Sequence, residues 1–202
     1  MLTITIPLFP LNSVIFFPQS HLPLNIFEEK YIEMINFSLK TNRLIGMIQT
    51  DRKGELYSIG CVGKINSFSE TEDGRFIINL YGQNYFSIVK EVITKAKFRT
   101  FEVSLINESN QKNNLINLKS FDFNLLIKHY VNFTKKNNLD VDIKFLEKID
   151  KNILIKFIAM SSPFSVPEKQ MLLETFNLND LANKLKILLQ YYLAEKENIT
   201  IN

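Results

Sequence analysis

"PLFPLNSVIFFPQSHLPLNIFE", residues 7–28, holds four of the chain's six prolines and carries no charge before Glu28. A stretch this apolar is an export signal, a membrane span or part of a core. A secretory signal begins with basic residues, and no Lys or Arg precedes Lys30. A membrane-spanning helix takes about 20 apolar residues in succession. Here Pro7, Pro10, Pro18 and Pro23 each remove a backbone donor, and Asn12, Gln19 and His21 interrupt the apolar run. The remaining reading is non-helical core of a soluble domain, built from short strands and tight turns.

The flanking sequence extends that reading. "LTITIP" (2–7) alternates Leu2, Ile4 and Ile6 with threonines, as a half-buried strand does, and "SVIFFP" (13–18) is a second short β-like run. From Phe27 the period changes: Phe27, Tyr31, Met34, Ile35 and Leu39 predict an amphipathic helix ending near Thr41–Asn42. "LIGMIQT" (44–50) reads as a buried strand. "SIGCVGKINSFSE" (58–70) and "RFIINLYG" (75–82) flank "TEDG", a hairpin in which Gly74 accepts positive φ without steric cost. "NYFSIVKEVI" (84–93) and "FEVSLI" (101–106) supply two more strands.

Past "NESNQKNN" (107–114) the pattern becomes helical. Phe123, Leu126, Ile127, Tyr130 and Val131 share one face, and a second helical region runs from about Ile143 to Met160 with a break near Lys151-Asn152. "SVPEKQMLLE" (165–174) has capping-box spacing between Ser165 and Glu168, with a proline in the first turn. Leu181, Leu185, Leu188, Leu189 and Tyr192 form a last apolar stripe. The predicted organisation is therefore α+β. It comprises a β-rich domain over 1–107 with one helix, a linker over 108–120, and a helical bundle over 121–202.

Composition narrows the function. The net charge of +3 divides almost evenly, with 11 Lys/Arg against 10 Asp/Glu in residues 1–107 and 13 against 11 beyond them. Neither half has the concentrated basic face that phosphate binding needs, so a nucleic-acid partner is not expected. One cysteine, Cys61, excludes an internal disulfide and suits a reducing, cytoplasmic setting. His21 and His129 lie far apart, without metal-ligand spacing. His129, off the main apolar face of its helix, is expected to be solvated, and Asp140 and Asp142 to precede or cap a helix.

"GCVGKI" (60–65) lacks the four-residue spacing and the Ser/Thr of a phosphate loop and sits in strand-like sequence. Its glycines are read as easing a twisted or bulged strand, and Cys61 as a small buried hydrophobe. No Ser occupies a nucleophile elbow, and Ser161 and Ser162 before Pro163 read as a helix end. No catalytic residue, metal site or cofactor site is assigned, and a non-catalytic protein is expected. The 17 Phe and 7 Tyr leave apolar recognition as the remaining chemistry.

Seven segments then fall in a recognisable order: "PLFPL" (7–11), "FFP" (16–18), "LPLNIFEEKYIEM" (22–34), "IG" (45–46), "IGCVGKI" (59–65), "DGRFIINLYG" (73–82) and "EKQMLLE" (168–174). Together they resemble the amino-terminal substrate-binding domain of Lon proteases, from Pro7 to about Leu189. The resemblance implies a PUA-like pseudobarrel followed by a helical bundle, and a module that recognises protein substrates. These 202 residues contain no ATPase or peptidase segment, so a stand-alone member is expected, acting on unfolded or apolar polypeptide or as an adaptor or regulator of proteolysis. Candidate client-contacting residues are Phe9, Phe16, Phe17, His21, Leu22 and Phe27.

Three positions depart from the family pattern. Glu29 and Lys30 stand where Pro and Arg are frequent, and Tyr85 stands where an Arg is frequent. An RNA-binding module is the alternative, since PUA-like folds include RNA binders, followed by a small-molecule-binding barrel.

Overall fold

The computed structural model describes residues 2–106 and 120–199, with side chains to residue 194. Most of the expected linker, 108–120, lies outside the described residues. The fold is α+β, and the chain divides into two compact units. One comprises residues 1–109 with 164–174, and the other residues 110–163 with 175–202.

The first unit is built on six strands: β1 (Thr3–Leu11), β2 (His21–Ile26), β3 (Leu44–Thr50), β4 (Leu56–Glu70), β5 (Phe76–Val92) and β6 (Thr100–Ile106). β1 pairs parallel with β3 and antiparallel with β6, and β3–β4, β4–β5 and β5–β6 pair antiparallel. These five strands close on themselves, while β2 adds to the first half of β5. Ring closure removes unpaired edges over most of the sheet. Ile6, Leu8, Ile48, Val62, Phe86, Phe101 and Val103 form a core cluster of this unit. β4 and β5 join through the expected turn, with Gly74 at φ 78° and the Thr71 N–H donating to the Arg75 carbonyl at 2.9 Å.

Three local expectations need correction. Residues 84–92 do not form a separate strand but continue β5, because the chain runs through Gly82 without turning. The first helix, α1 (Glu29–Lys40), begins after Phe27, which is 65% exposed and outside its buried stripe of Tyr31, Met34, Ile35 and Ser38. And "SVIFFP" is not a strand, although Ile15, Phe16 and Phe17 are all buried. Ser13 and Gln19 take left-handed φ of 61° and 62° at its two ends, which turns the segment into a buried strap.

Glycines receive that strap. A Cβ on Gly82 would collide with the Phe17 carbonyl, and one on Gly63 would lie 2.8 Å from the Phe16 ring. The Gln19 N–H donates to the Gly82 carbonyl at 2.8 Å, and the Gly82 N–H to the Ser20 carbonyl at 3.0 Å. Gly63 also sits at a register shift in β4, consistent with the bulged-strand reading of "GCVGKI".

The first three helices beyond residue 120 start on aspartates. Asp122 caps α2 (Phe123–Lys136), Asp142 caps α3 (Ile143–Lys148) and Asp150 caps α4 (Lys151–Ser161). The break therefore falls at Ile149–Asp150, two residues before the expected position. α6 (Leu178–Ile199) buries Leu181, Ala182, Leu185 and Leu189, and the rings of Phe133 and Tyr192 meet at 5.4 Å.

α5 (Val166–Leu173), expected in the helical bundle, belongs to the strand-bearing unit. Polar side chains hold it there. The Gln170 amide donates to the Ile59 carbonyl at 3.1 Å, and the Gln49 amide donates to Gln170 Oε1 at 3.0 Å. The expected capping box is present, with the Ser165 N–H donating to Glu168 Oε2 at 2.8 Å.

Candidate functional site

Beyond the closed ring, β2, the first half of β5 and the last third of β4 form a three-stranded arm. Its register sets two faces. Leu22, Leu24 and Ile26 stand opposite Leu80, Ile78 and Phe76, and those three β5 residues are buried. The alternate residues point the other way: His21 opposite Tyr81, Pro23 opposite Asn79, Asn25 opposite Ile77. On the far side of β5 the same row continues through Lys64, Ser67 and Ser69.

This outer face sets exposed apolar side chains among polar ones. Ile77 is 50% exposed and Tyr81 38%, with the His21 and Tyr81 rings 5.2 Å apart. Phe27 stands one residue beyond the end of β2. Lys64 carries a charge within the row, opposite Tyr81, and charges at the periphery are paired. Glu28 pairs with Lys30 at 3.1 Å, and Asp73 with Arg75. The Arg75 guanidinium, and then the Thr71 hydroxyl, hold the Asp73 carboxyl well below the usual carboxylate range. The arrangement suits burial of apolar side chains against a flat strand surface.

The six residues proposed from sequence separate. Phe9, Phe16 and Phe17 are core residues with no more than 5% exposure, so they present no surface. Phe9 packs on Tyr31 with ring centroids 4.3 Å apart, and Phe17 meets Tyr85 edge-on at 6.5 Å. Leu22 is half-buried, on the inner phase of β2. His21 and Phe27 are exposed. Sequence reasoning missed Pro23, Ile77 and Tyr81. The signal was present in "FIINLY" (76–81), where Ile77 and Tyr81 fall on the phase opposite to Phe76, Ile78 and Leu80.

The departures from the family pattern have local partners. Glu29 pairs with Lys97, which lowers its carboxyl pKa, and the Lys30 ammonium lies 4.6 Å from the Tyr31 ring centroid. Tyr85 is buried at 3% exposure.

The groups screened for chemistry take structural positions. Cys61, the single cysteine of the sequence, is buried. The Ser161 hydroxyl donates to the Phe157 carbonyl at 2.7 Å and lies 2.8 Å from the Tyr130 hydroxyl, while Ser162 is the C-cap of α4. His129 is half-buried, not solvated, and its Nδ1 is buried without a hydrogen-bond partner among the described residues. Burial pushes its pKa down, with Lys186 and Lys128 adding to the effect against Asp122. Among the described residues no three His, Cys, Asp or Glu side chains are placed to hold a metal ion, and no helix is long and apolar enough to cross a membrane.

Comparison with known proteins agrees with this architecture. The model for the ATP-dependent protease La (LON) substrate-binding domain matches residues 5–191. The Lon protease of Buchnera aphidicola subsp. Baizongia pistaciae is 26% identical over 93% of this chain, and that of Dictyoglomus thermophilum 24% over 96%. The chain spans about a quarter of the length of these relatives, 25% in each case. Among solved structures, the N-terminal domain of Mycobacterium avium complex Lon protease superposes with a TM-score of 0.68 at 13% identity. The Lon N-terminal domain protein of Xanthomonas campestris superposes at 0.61 with 20% identity. Each superposition covers 93% of this chain and 98% of the other, and at these identities it shows a shared fold. With the family model covering both the strand-bearing unit and most of the helical one, the chain belongs to the Lon substrate-binding domain family.

Proposed function

We propose that this chain is a non-catalytic polypeptide-recognition module that captures exposed apolar segments of protein clients on the outer face of β2, β5 and β4, and serves proteolysis as an adaptor or regulator. The observation that carries the reading is the exposure of Ile77 and Tyr81 on the strand face they share with Pro23 and His21, with Phe27 just beyond the end of β2. Family membership supports protein substrates as the ligand class. The driving force is removal of client apolar area from water at about 25 cal/mol per Å², less the cost of ordering the client. A surface of this kind binds weakly and broadly, because apolar side chains on a flat strand surface offer few directional contacts.

The test is a fluorescence titration with labelled, reduced and carboxymethylated casein, run on wild type and on Ile77→Ser with Tyr81→Ser. Saturable binding that weakens at least fivefold in the double variant is expected. Absence of saturation into the high micromolar range would overturn the reading. Undiminished affinity of the double variant would move the site elsewhere.

A further inference from the structure

The backbone of β4 is paired on both sides only as far as the ring extends. Its last hydrogen bond on the β3 side is from the Ile65 N–H to the Arg43 carbonyl, at 2.9 Å. From Ser67 to Glu70 it pairs with β5 alone, and Asn66 to Glu70 are all exposed. The turn fixes which groups face outward. Because the Thr71 N–H points at Arg75 on the β5 side, strand alternation points the N–H and C=O groups of Glu70 and Phe68 away from β5. The arm therefore ends in a short row of backbone donors and acceptors with no strand beside it among the described residues.

The arm's other border does not offer the same thing. β2 pairs with β5 alone, but Pro23 in its middle has no N–H to donate. Proline on a border strand is a device against strand addition, and β4 has none. The open side of β4 also has a side-chain character. Phe68 is 47% exposed there with its ring 6.3 Å from that of Phe76. Toward the turn stand Glu70 and Glu72, whereas Asp73 is occupied by Arg75.

Given the polypeptide-binding reading above, on which this step rests, we infer that the open edge of β4 at Asn66–Glu70 receives the client as an added β-strand. The segment it fits is extended, apolar where it lies against Phe68, and carries Lys or Arg at the end beside Glu70 and Glu72. Main-chain hydrogen bonds to the edge supply sequence-tolerant affinity, which suits a protein that meets many clients. The client's alternate side chains then extend the row of Ile77 and Tyr81. Extended, apolar and basic-flanked polypeptide is thus the substrate class.

Strand addition depends on the client's backbone N–H groups, whereas capture by side chains alone does not. The probes are an eight-residue peptide of alternating Val and Thr ending in two lysines, the same peptide N-methylated at alternate residues, and a version ending in two glutamates. The lysine peptide is expected to bind, the N-methylated one at least tenfold more weakly, and the glutamate one at least threefold more weakly. Hydrogen exchange at the Phe68 and Glu70 amides should slow at saturation. Equal binding of the N-methylated peptide, or unchanged exchange at those amides, overturns the inference. Binding of carboxymethylated casein with no binding of any peptide overturns it while leaving the polypeptide-binding reading intact. Failure of casein as well removes both.

Discussion

The ammonium of Lys169 donates a 2.8 Å hydrogen bond to the carbonyl oxygen of Ser13, across 156 residues of sequence. The bond joins α5 to the start of the apolar strap, at the residue whose φ of 61° turns the chain out of β1. Lys169 is 7% exposed, and burial pushes its pKa below the ordinary lysine value. The Ser13 carbonyl offsets part of the cost of burying this ammonium. The "EKQ" of residues 168–170 therefore supplies a cap through Glu168, a fastening for the strap through Lys169 and a fastening for β3 and β4 through Gln170.

Lys169→Met is expected to destabilise the protein by about 1–3 kcal/mol, because a buried charge-assisted hydrogen bond is lost and the Ser13 carbonyl gives up a donor. Urea denaturation followed by tyrosine fluorescence measures it. A midpoint within error of wild type would show that the contact contributes nothing.

Gly82→Ala tests the strap at its other end. The added methyl would overlap the Phe17 carbonyl and lie 3.1 Å from Pro18 Cα, and the obstructing atoms are backbone, which has little freedom to retreat. A loss of about 2–4 kcal/mol is expected, at or above the usual range for overpacking. Gly74→Ala at the hairpin turn meets no atom within 4 Å but must hold φ at 78°, so a smaller loss of about 1 kcal/mol is expected. Comparing the two by thermal unfolding separates steric exclusion from backbone strain. A larger loss at Gly74 would reverse the argument.

Residue by residue, legibility followed burial period. β3, the β4–β5 turn, β6, α2 and the Ser165 cap were readable because each is a local pattern: alternation, Asp-Gly, helical spacing, capping spacing. "SVIFFP" misled because a fully buried strap and a fully buried strand are equally apolar, and the left-handed turns at Ser13 and Gln19 have no glycine to announce them. The same ambiguity placed Phe9, Phe16 and Phe17 among candidate contacts, since apolar composition does not say which side of a surface a ring occupies. Ile77 and Tyr81 were encoded in the phase of β5, but that phase acquires meaning only when β2 pairs beside it. The placement of α5 rests on Lys169 and Gln170, whose partners are over a hundred residues away in sequence.

His129 gives a pH dependence. Its folded-state pKa lies below the ordinary value of 6.5, so as pH falls through that value the unfolded chain takes up a proton that the folded chain refuses. Stability is retained above the unfolded pKa and lost as pH falls toward the folded one. His129→Gln should therefore lose less stability than wild type between about pH 7.5 and pH 5. Denaturant midpoints at several pH values across that window provide the comparison. Parallel curves for the two proteins would rule out His129 as the source.

The outer face and the core make opposite demands on mutation, and their contrast bears most directly on function. Phe16 is 1% exposed, so Phe16→Ala should cost about 3–5 kcal/mol and reduce client binding only in step with the folded fraction. Phe27 is 65% exposed, and Phe27→Ser should change stability by no more than about 0.5 kcal/mol. Its effect should fall on affinity, weakening capture of carboxymethylated casein several-fold at full folding. Circular dichroism fixes the folded fraction, and titration under the same conditions fixes the affinity. If Phe27→Ser unfolds the domain, its ring is structural; if it leaves affinity unchanged, the client does not reach beyond the end of β2.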